Sequence, residues 1–185
     1  ATGYTPGMID TEALVGPEDA RRLWDLSAEA ICLMKERIKR HEIACDLKAG
    51  ELYAAVKPRH RDWLLDEQEH CEKVYGYQDY KWLEEDELGD YVRSERFCGG
   101  LLDSSGGHLH PLNYALGLAK AAHDAGVRIF EDSCVEELTK GKRPVVTTSE
   151  GTVTARYVVL AGNAYLADLD QSLAAKIIPV DACII

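Results

Sequence analysis

Glu51 and Tyr53 put a carboxylate and a phenol two residues apart in a stretch that alternates polar and apolar residues after Gly50. On a strand the two share one face, and together they can hold an ammonium group. An exposed sheet face is the plainer alternative. His108 and His110 have the same spacing around Leu109, and imidazole is the commonest metal ligand. Two ligands are too few for zinc and no third stands at useful spacing, so no metal is expected. That leaves His108 to hydrogen-bond a substrate carboxylate, to tune an amine's proton, or to position the loop before Pro111. Gly162 directly follows the apolar run Tyr157-Val158-Val159-Leu160-Ala161. That is where a ligand-binding turn falls in an α/β sheet, and a glycine there lets backbone approach a ligand with no Cβ in the way. Other chemistries lack their parts. The chain has no Gly-x-Ser-x-Gly elbow, no Walker loop and no Gly-x-Gly-x-x-Gly turn. The acids Glu84 to Glu87 lack the glycine and the ligand spacing of a calcium loop. No catalytic acid or base is assigned.

The elements that position these residues follow from periodicity and punctuation. Pro17 opens a helix that runs to about His41, and Trp24 belongs to its buried side. Asp46 to Val56 reads as a strand bulged at Gly50. Pro58 starts a second helix ending near Val74, whose many charges form a solvated face. Tyr75 to Tyr80 reads as a turn. Phe97 to Asp103 reads as a strand interrupted by Gly99-Gly100. Pro111 and Gly126 bracket a third helix with Leu112, Ala115, Leu116, Ala119 and Ala122 on one face. A short strand over 127–130 and a meander over 134–139, 144–149 and 152–161 come next. The run 157–161 does not alternate, which suits a strand covered on both faces. Ala174 to Ile184 reads as an edge or bulged strand marked by Pro179.

Composition bounds the function. The 185 residues carry a net charge of −11 with 46% hydrophobic content. That charge disfavours nucleic acid and anionic membranes as partners, and no apolar run is long enough for a membrane helix. The cytoplasm is the expected address. Six widely spaced cysteines form no Cys-x-x-Cys pair, so reduced and mostly buried thiols are expected.

Gly107-His108-Leu109-His110-Pro111-Leu112-Asn113 and Val158-Val159-Leu160-Ala161-Gly162-Asn163-Ala164-Tyr165 carry a resemblance. The chain resembles the FAD-dependent D-amino-acid oxidase/sarcosine oxidase superfamily, and within it γ-glutamylputrescine oxidase-type amine oxidases. The resemblance implies a mixed α/β (α+β) fold: part of an FAD-binding domain, with short parallel strands and the meander, plus part of an antiparallel substrate-domain sheet. It implies a short helix over Trp82 to Leu88 and a central slice of a longer flavoenzyme. Residues 1–45 would be a loop and long helix beside the FAD domain, and 46–105 part of the substrate domain. Residues 106–170 would belong to the FAD domain, and 171–185 would start the return. Val135, Ala161, Gly162 and Asn163 would contact FAD, while Glu51, Tyr53 and His108 would face an amine or amino-acid substrate. Tyr4 would sit near the cofactor if it is not simply part of a frayed end. The implied reaction removes a hydride from the carbon beside a neutral amine to FAD, with dioxygen as final oxidant and the imine hydrolysed. The isolated chain is expected to purify without FAD and to self-associate through surfaces its missing parts would cover. A cofactor-free binding module and a flavoenzyme of another reaction class are the competing readings.

Overall fold

Pro17 starts a helix where its missing N–H costs nothing, and Glu18 and Asp19 lie at the positive end of the dipole. The resulting helix α2 (Pro17–Arg40) closes on Arg37, Lys39 and Arg40, which suit its negative end. The computed structural model describes residues 7–178. Tyr4, Pro179 and Cys183 lie outside the described residues. Ahead of α2 stands α1 (Met8–Val15), a helix with little sequence signal, since Ile9, Leu14 and Val15 stay exposed. It is held from a distance. The buried carboxyl of Glu67 accepts hydrogen bonds from the N–H of Met8 at 2.5 Å and of Ile9 at 3.4 Å.

Strands β1 (Lys48–Ala54), β2 (Tyr80–Leu83) and β3 (Gly100–His108) form an antiparallel sheet in the order β1-β3-β2. Its register puts Glu51 opposite Asp103 and Tyr53 opposite Leu101, with Tyr80 and Trp82 across from the same two β3 residues. One face therefore carries Glu51, Tyr53, Tyr80, Trp82, Leu101 and Asp103. The expected bulge is present: the register shifts between Ala49 and Glu51, and Gly50 takes φ 98°, a value glycine accepts freely. Behind this face packs α3 (Pro58–His70), through a cluster of Ala55, Leu64 and Leu101 joined by Tyr53, Tyr80 and Trp82. A second cluster gathers Met8, Ala20, Trp24 and Cys71 under Tyr75, Tyr77 and Tyr80.

Four expectations change here. Tyr80–Leu83 is a strand rather than a turn leading into a helix, because β3 supplies its ladder. The short helix shrinks to α4 (Glu85–Leu88), started by a reciprocal capping box between Glu84 and Glu87. β3 runs on to His108 instead of ending at Asp103. The helix expected to reach Val74 changes pitch at Cys71 and finishes as a π turn, Cys71–Tyr75, with Gly76 left-handed at φ 68°. Helix α5 (Pro111–Asp124) closes this first compact unit, Ala1–Val127.

The second unit, Arg128–Ile185, holds the meander β4 (Val135–Thr139), β5 (Val145–Thr148) and β6 (Gly151–Thr154) in the order β4-β5-β6. The mixed fold class with antiparallel sheets is as expected. Residues 127–130 and 155–161, however, carry no strand ladder among the described residues. A run becomes a strand only where neighbouring backbone pairs its N–H and C=O groups, and Tyr157 and Val159 stand 80% and 86% exposed. A 3-10 helix (Asn163–Asp170) and α6 (Gln171–Ala174) follow. Ala174 thus ends a helix and does not begin a strand. Cys45 and Cys71 are buried free thiols and Cys98 is half-buried, whereas Cys32 and Cys134 are exposed, contrary to the expectation of mostly buried thiols. No helix among the described residues is long and apolar enough to cross a membrane.

Asp170 fixes the end of this unit. Its carboxylate caps α6 through the N–H groups of Ser172 and Leu173 and meets Lys140 Nζ at 2.6 Å, with 5% of the side chain exposed. The hydrogen bond from Lys140, then that from the Ser172 hydroxyl, hold its carboxyl well below the usual carboxylate range. A depressed folded pKa means the linked stability is complete above the unfolded carboxyl's pKa and is lost as pH falls through the folded value. Lys140→Met is therefore expected to move the acid loss of helical signal from 163–174 to higher pH, as read by amide chemical shifts across an acid titration. An unmoved midpoint would contradict this.

Candidate functional site

Asp103 is the node from which the site is built. The residue is 1% exposed. Its Oδ1 accepts from the Tyr77 hydroxyl at 2.6 Å, the Ser105 N–H at 3.0 Å, the Ser105 hydroxyl at 3.1 Å and the Gly106 N–H at 3.1 Å. Burial, then this hydrogen bond, push the Tyr77 phenol up from its ordinary value. Glu51 lies across the ladder. A Cβ placed on Gly106 would be 3.3 Å from both Glu51 Oε2 and Asp103 Oδ2, so the two carboxyls flank that glycine. Burial, and after it the charge of Glu51, likewise raise the Tyr53 phenol.

The structure brings Glu51 and His108 to one cavity of about 410 Å3, whose wall includes Leu52, Leu102 and Tyr91. Tyr53 does not line it; it lines a separate cavity against the start of α3. His108 is exposed at the end of β3, opposite Lys48. His110 has left the strand altogether, and its Nδ1 accepts the Asn113 N–H at 3.3 Å as the cap of α5. The two histidines therefore serve different elements. Tyr91 was not foreseen, because it follows α4 in an irregular stretch with no periodic signal. Chemically, a carboxyl with an imidazole at the rim and two leucines beside them can take the polar end of an amine and shelter its methylenes.

The residues expected at a nucleotide all fall in the second unit. Val135 begins β4 half-buried, opposite Thr148. Ala161 and Asn163 are exposed, and Asn163 takes φ 48°. Gly162 between them has ordinary helical torsions, φ −79° and ψ −4°. A Cβ on it would lie 3.3 Å from Leu166 Cδ2, so its missing side chain makes room for the chain's own Leu166. The glycine thus has an internal reason to be there. The open backbone at Ala161 and Asn163 still leaves room for a ligand's sugar and phosphate, and to that extent the residues present fit FAD.

The fold has relatives among solved oxidases. Glycine oxidase from Geobacillus kaustophilus superposes with a TM-score of 0.69 at 24% identity, over 80% of this chain and 41% of that one. Glycine oxidase from Bacillus cereus gives 0.70 at 20% identity, over 82% and 44%. These likenesses concern the fold. The sequence goes further: residues 1–185 match the FAD dependent oxidoreductase (DAO) family, and the chain belongs to it. It is 39% identical over 188 residues to a probable oxidoreductase, OrdL, of Haemophilus influenzae, covering 99% of this chain and 44% of that protein. It is 38% identical over 177 residues to the γ-glutamylputrescine oxidoreductase of Escherichia coli, covering 95% and 41%. The chain spans less than half the length of these curated relatives.

Proposed function

We propose that this chain works within a cytoplasmic flavin-dependent oxidoreductase that oxidises the C–N bond of a primary amine or amino acid, a γ-glutamylated diamine among the candidates. The observation that carries the reading is the meeting of Glu51 and His108 in one leucine-lined cavity. The similarity to a γ-glutamylputrescine oxidoreductase supports the substrate class. In this reading 46–105 belongs to the substrate domain and 106–170 to the FAD domain, with 1–45 adjoining the latter and 171–185 leading back. FAD, when bound, supplies the hydride acceptor and the route to dioxygen. Val135, Ala161, Gly162 and Asn163 would hold its nucleotide end through backbone. Glu51 binds the ammonium form and orients it. Leu52 and Leu102 exclude water from the adjoining methylenes, and His108 takes the proton the amine must shed before its carbon can give up a hydride. Tyr53 acts through Glu51, as a positioning residue. The free thiols agree with a reducing compartment.

In the full-length enzyme, Glu51→Gln is expected to raise KM for the amine about tenfold, the worth of roughly 1.4 kcal/mol of lost charge-assisted binding, with a smaller change in kcat. An unchanged KM would remove Glu51 from the site and the reading with it.

A further inference from the structure

The cavity that Tyr53 lines is the larger one, about 590 Å3, and its remaining wall is Ala54, Arg59, His60, Trp63 and Leu64. Tyr53 and Trp63 contribute aromatic surface, Ala54 and Leu64 aliphatic surface, and only Arg59 and His60 bring strongly polar groups. Apolar walls with a few convergent polar groups are the usual make-up of a small-molecule site, and the volume lies within the usual range. Trp63 is 42% exposed, which leaves an aromatic ring open to solvent beside two basic side chains.

The basic groups are uncommitted. Arg61, two residues on from Arg59, is engaged: it meets Glu84 at 3.2 Å and lies over the Trp82 ring at 5.6 Å. The side chains of Arg59 and His60 make no hydrogen bond or ion pair with any described residue. A guanidinium presents a planar fork that matches a carboxylate through two parallel hydrogen bonds. The neighbouring rings offer flat faces to a hydrocarbon body. An ammonium ligand would meet positive charge here, whereas the cavity of Glu51 favours it, so the two cavities select ligands of opposite sign.

We propose that the cavity bounded by Tyr53, Arg59, His60, Trp63 and Leu64 binds a small organic monocarboxylate with an apolar body, at a site separate from that of Glu51 and His108. Arg59 holds the carboxylate and His60 assists at the rim. Tyr53 and Trp63 flank the body, with Leu64 beneath it.

Phenylacetate titrated into the full chain tests this by two-dimensional NMR and by tryptophan fluorescence. The expected result is saturable binding that shifts the Trp63 indole N–H and the His60 ring. Arg59→Ala should weaken it at least about tenfold, the scale of one lost charge-assisted pair, and Arg59→Lys should weaken it less because the charge stays but the fork is gone. Phenylacetamide, which has the same body without the charge, should bind at least about tenfold more weakly than phenylacetate. Absence of saturation, equal binding of the amide, or undiminished binding by Arg59→Ala would each overturn the proposal. Arg59 is exposed, so its replacement leaves the core of α3 in place.

Discussion

Asp103→Ala is expected to lower the unfolding free energy by about 3 kcal/mol, measured by urea denaturation, because it leaves one buried and several part-buried donors without an acceptor at once. The Ser105 and Gly106 N–H groups and the Tyr77 hydroxyl all converge on one carboxyl oxygen. Methyl replacement strands them in a place where Asp103 itself is 1% exposed and water has little access. Asp103→Asn retains an acceptor oxygen in the same position and should cost about 1 kcal/mol, the worth of one weakened bond. The difference between the two variants measures the retained acceptor oxygen together with the side-chain volume. Equal effects would mean that the acceptor oxygen asparagine retains does nothing for the fold, and would overturn this account.

Gly107→Ala should have a comparable effect by a different route. A Cβ there would sit 2.4 Å from the backbone oxygen of Lys48, so β1 and β3 cannot both keep their places. Overpacking of this kind costs about 1–3 kcal/mol, and backbone leaves little room for relief. Gly117→Ala is the natural comparison, because its Cβ would also come as close as 2.3 Å to a neighbour, but that neighbour is the Ile43 side chain. The helix gains about 1 kcal/mol from replacing glycine by alanine, which offsets part of the crowding. Gly107→Ala should therefore unfold at lower urea and show faster amide exchange at Lys48 and Ala49, while Gly117→Ala should show neither to the same degree. Because His108 follows directly, the first variant should also loosen the cavity shared with Glu51, and in the full-length enzyme raise KM for the amine.

Local features of this fold were legible in the sequence wherever the cause was local. Pro17, Pro58 and Pro111 announced helix starts, Gly50 announced a bulge, and the meander followed from its turns. What escaped depends on partners far along the chain. α1 is anchored by Glu67, 59 residues away, and has no stripe of its own to betray it. β2 exists because β3 offers it a ladder, so Tyr80 reads as part of a turn and Trp82 as part of a helix until that neighbour is known. The run from Tyr157 to Ala161 shows the converse: the pattern of a covered strand is present, but pairing is a property of two segments, and the described residues hold only one. The site divides the same way. That Glu51 and Tyr53 share a face follows from a period of two. That Glu51 meets His108, and that Tyr53 opens on a different cavity, follow from the register of β1 on β3. Arg59 was counted with a solvated helical face, and what sets it apart from Arg61 is its place in the wall of a cavity.

The aromatic packing around α2 carries an optical consequence. Trp24 is 6% exposed, with the Tyr75 ring centroid 4.6 Å away and that of Tyr77 at 5.1 Å. An indole so enclosed emits toward the blue and drains excitation from the phenols around it, while Trp63 emits from a wetter setting. Of the three tryptophans, these two thus act as lamps of different colour, one gauging whether the helices around Cys71 stay docked and the other reporting on the mouth beside Arg59.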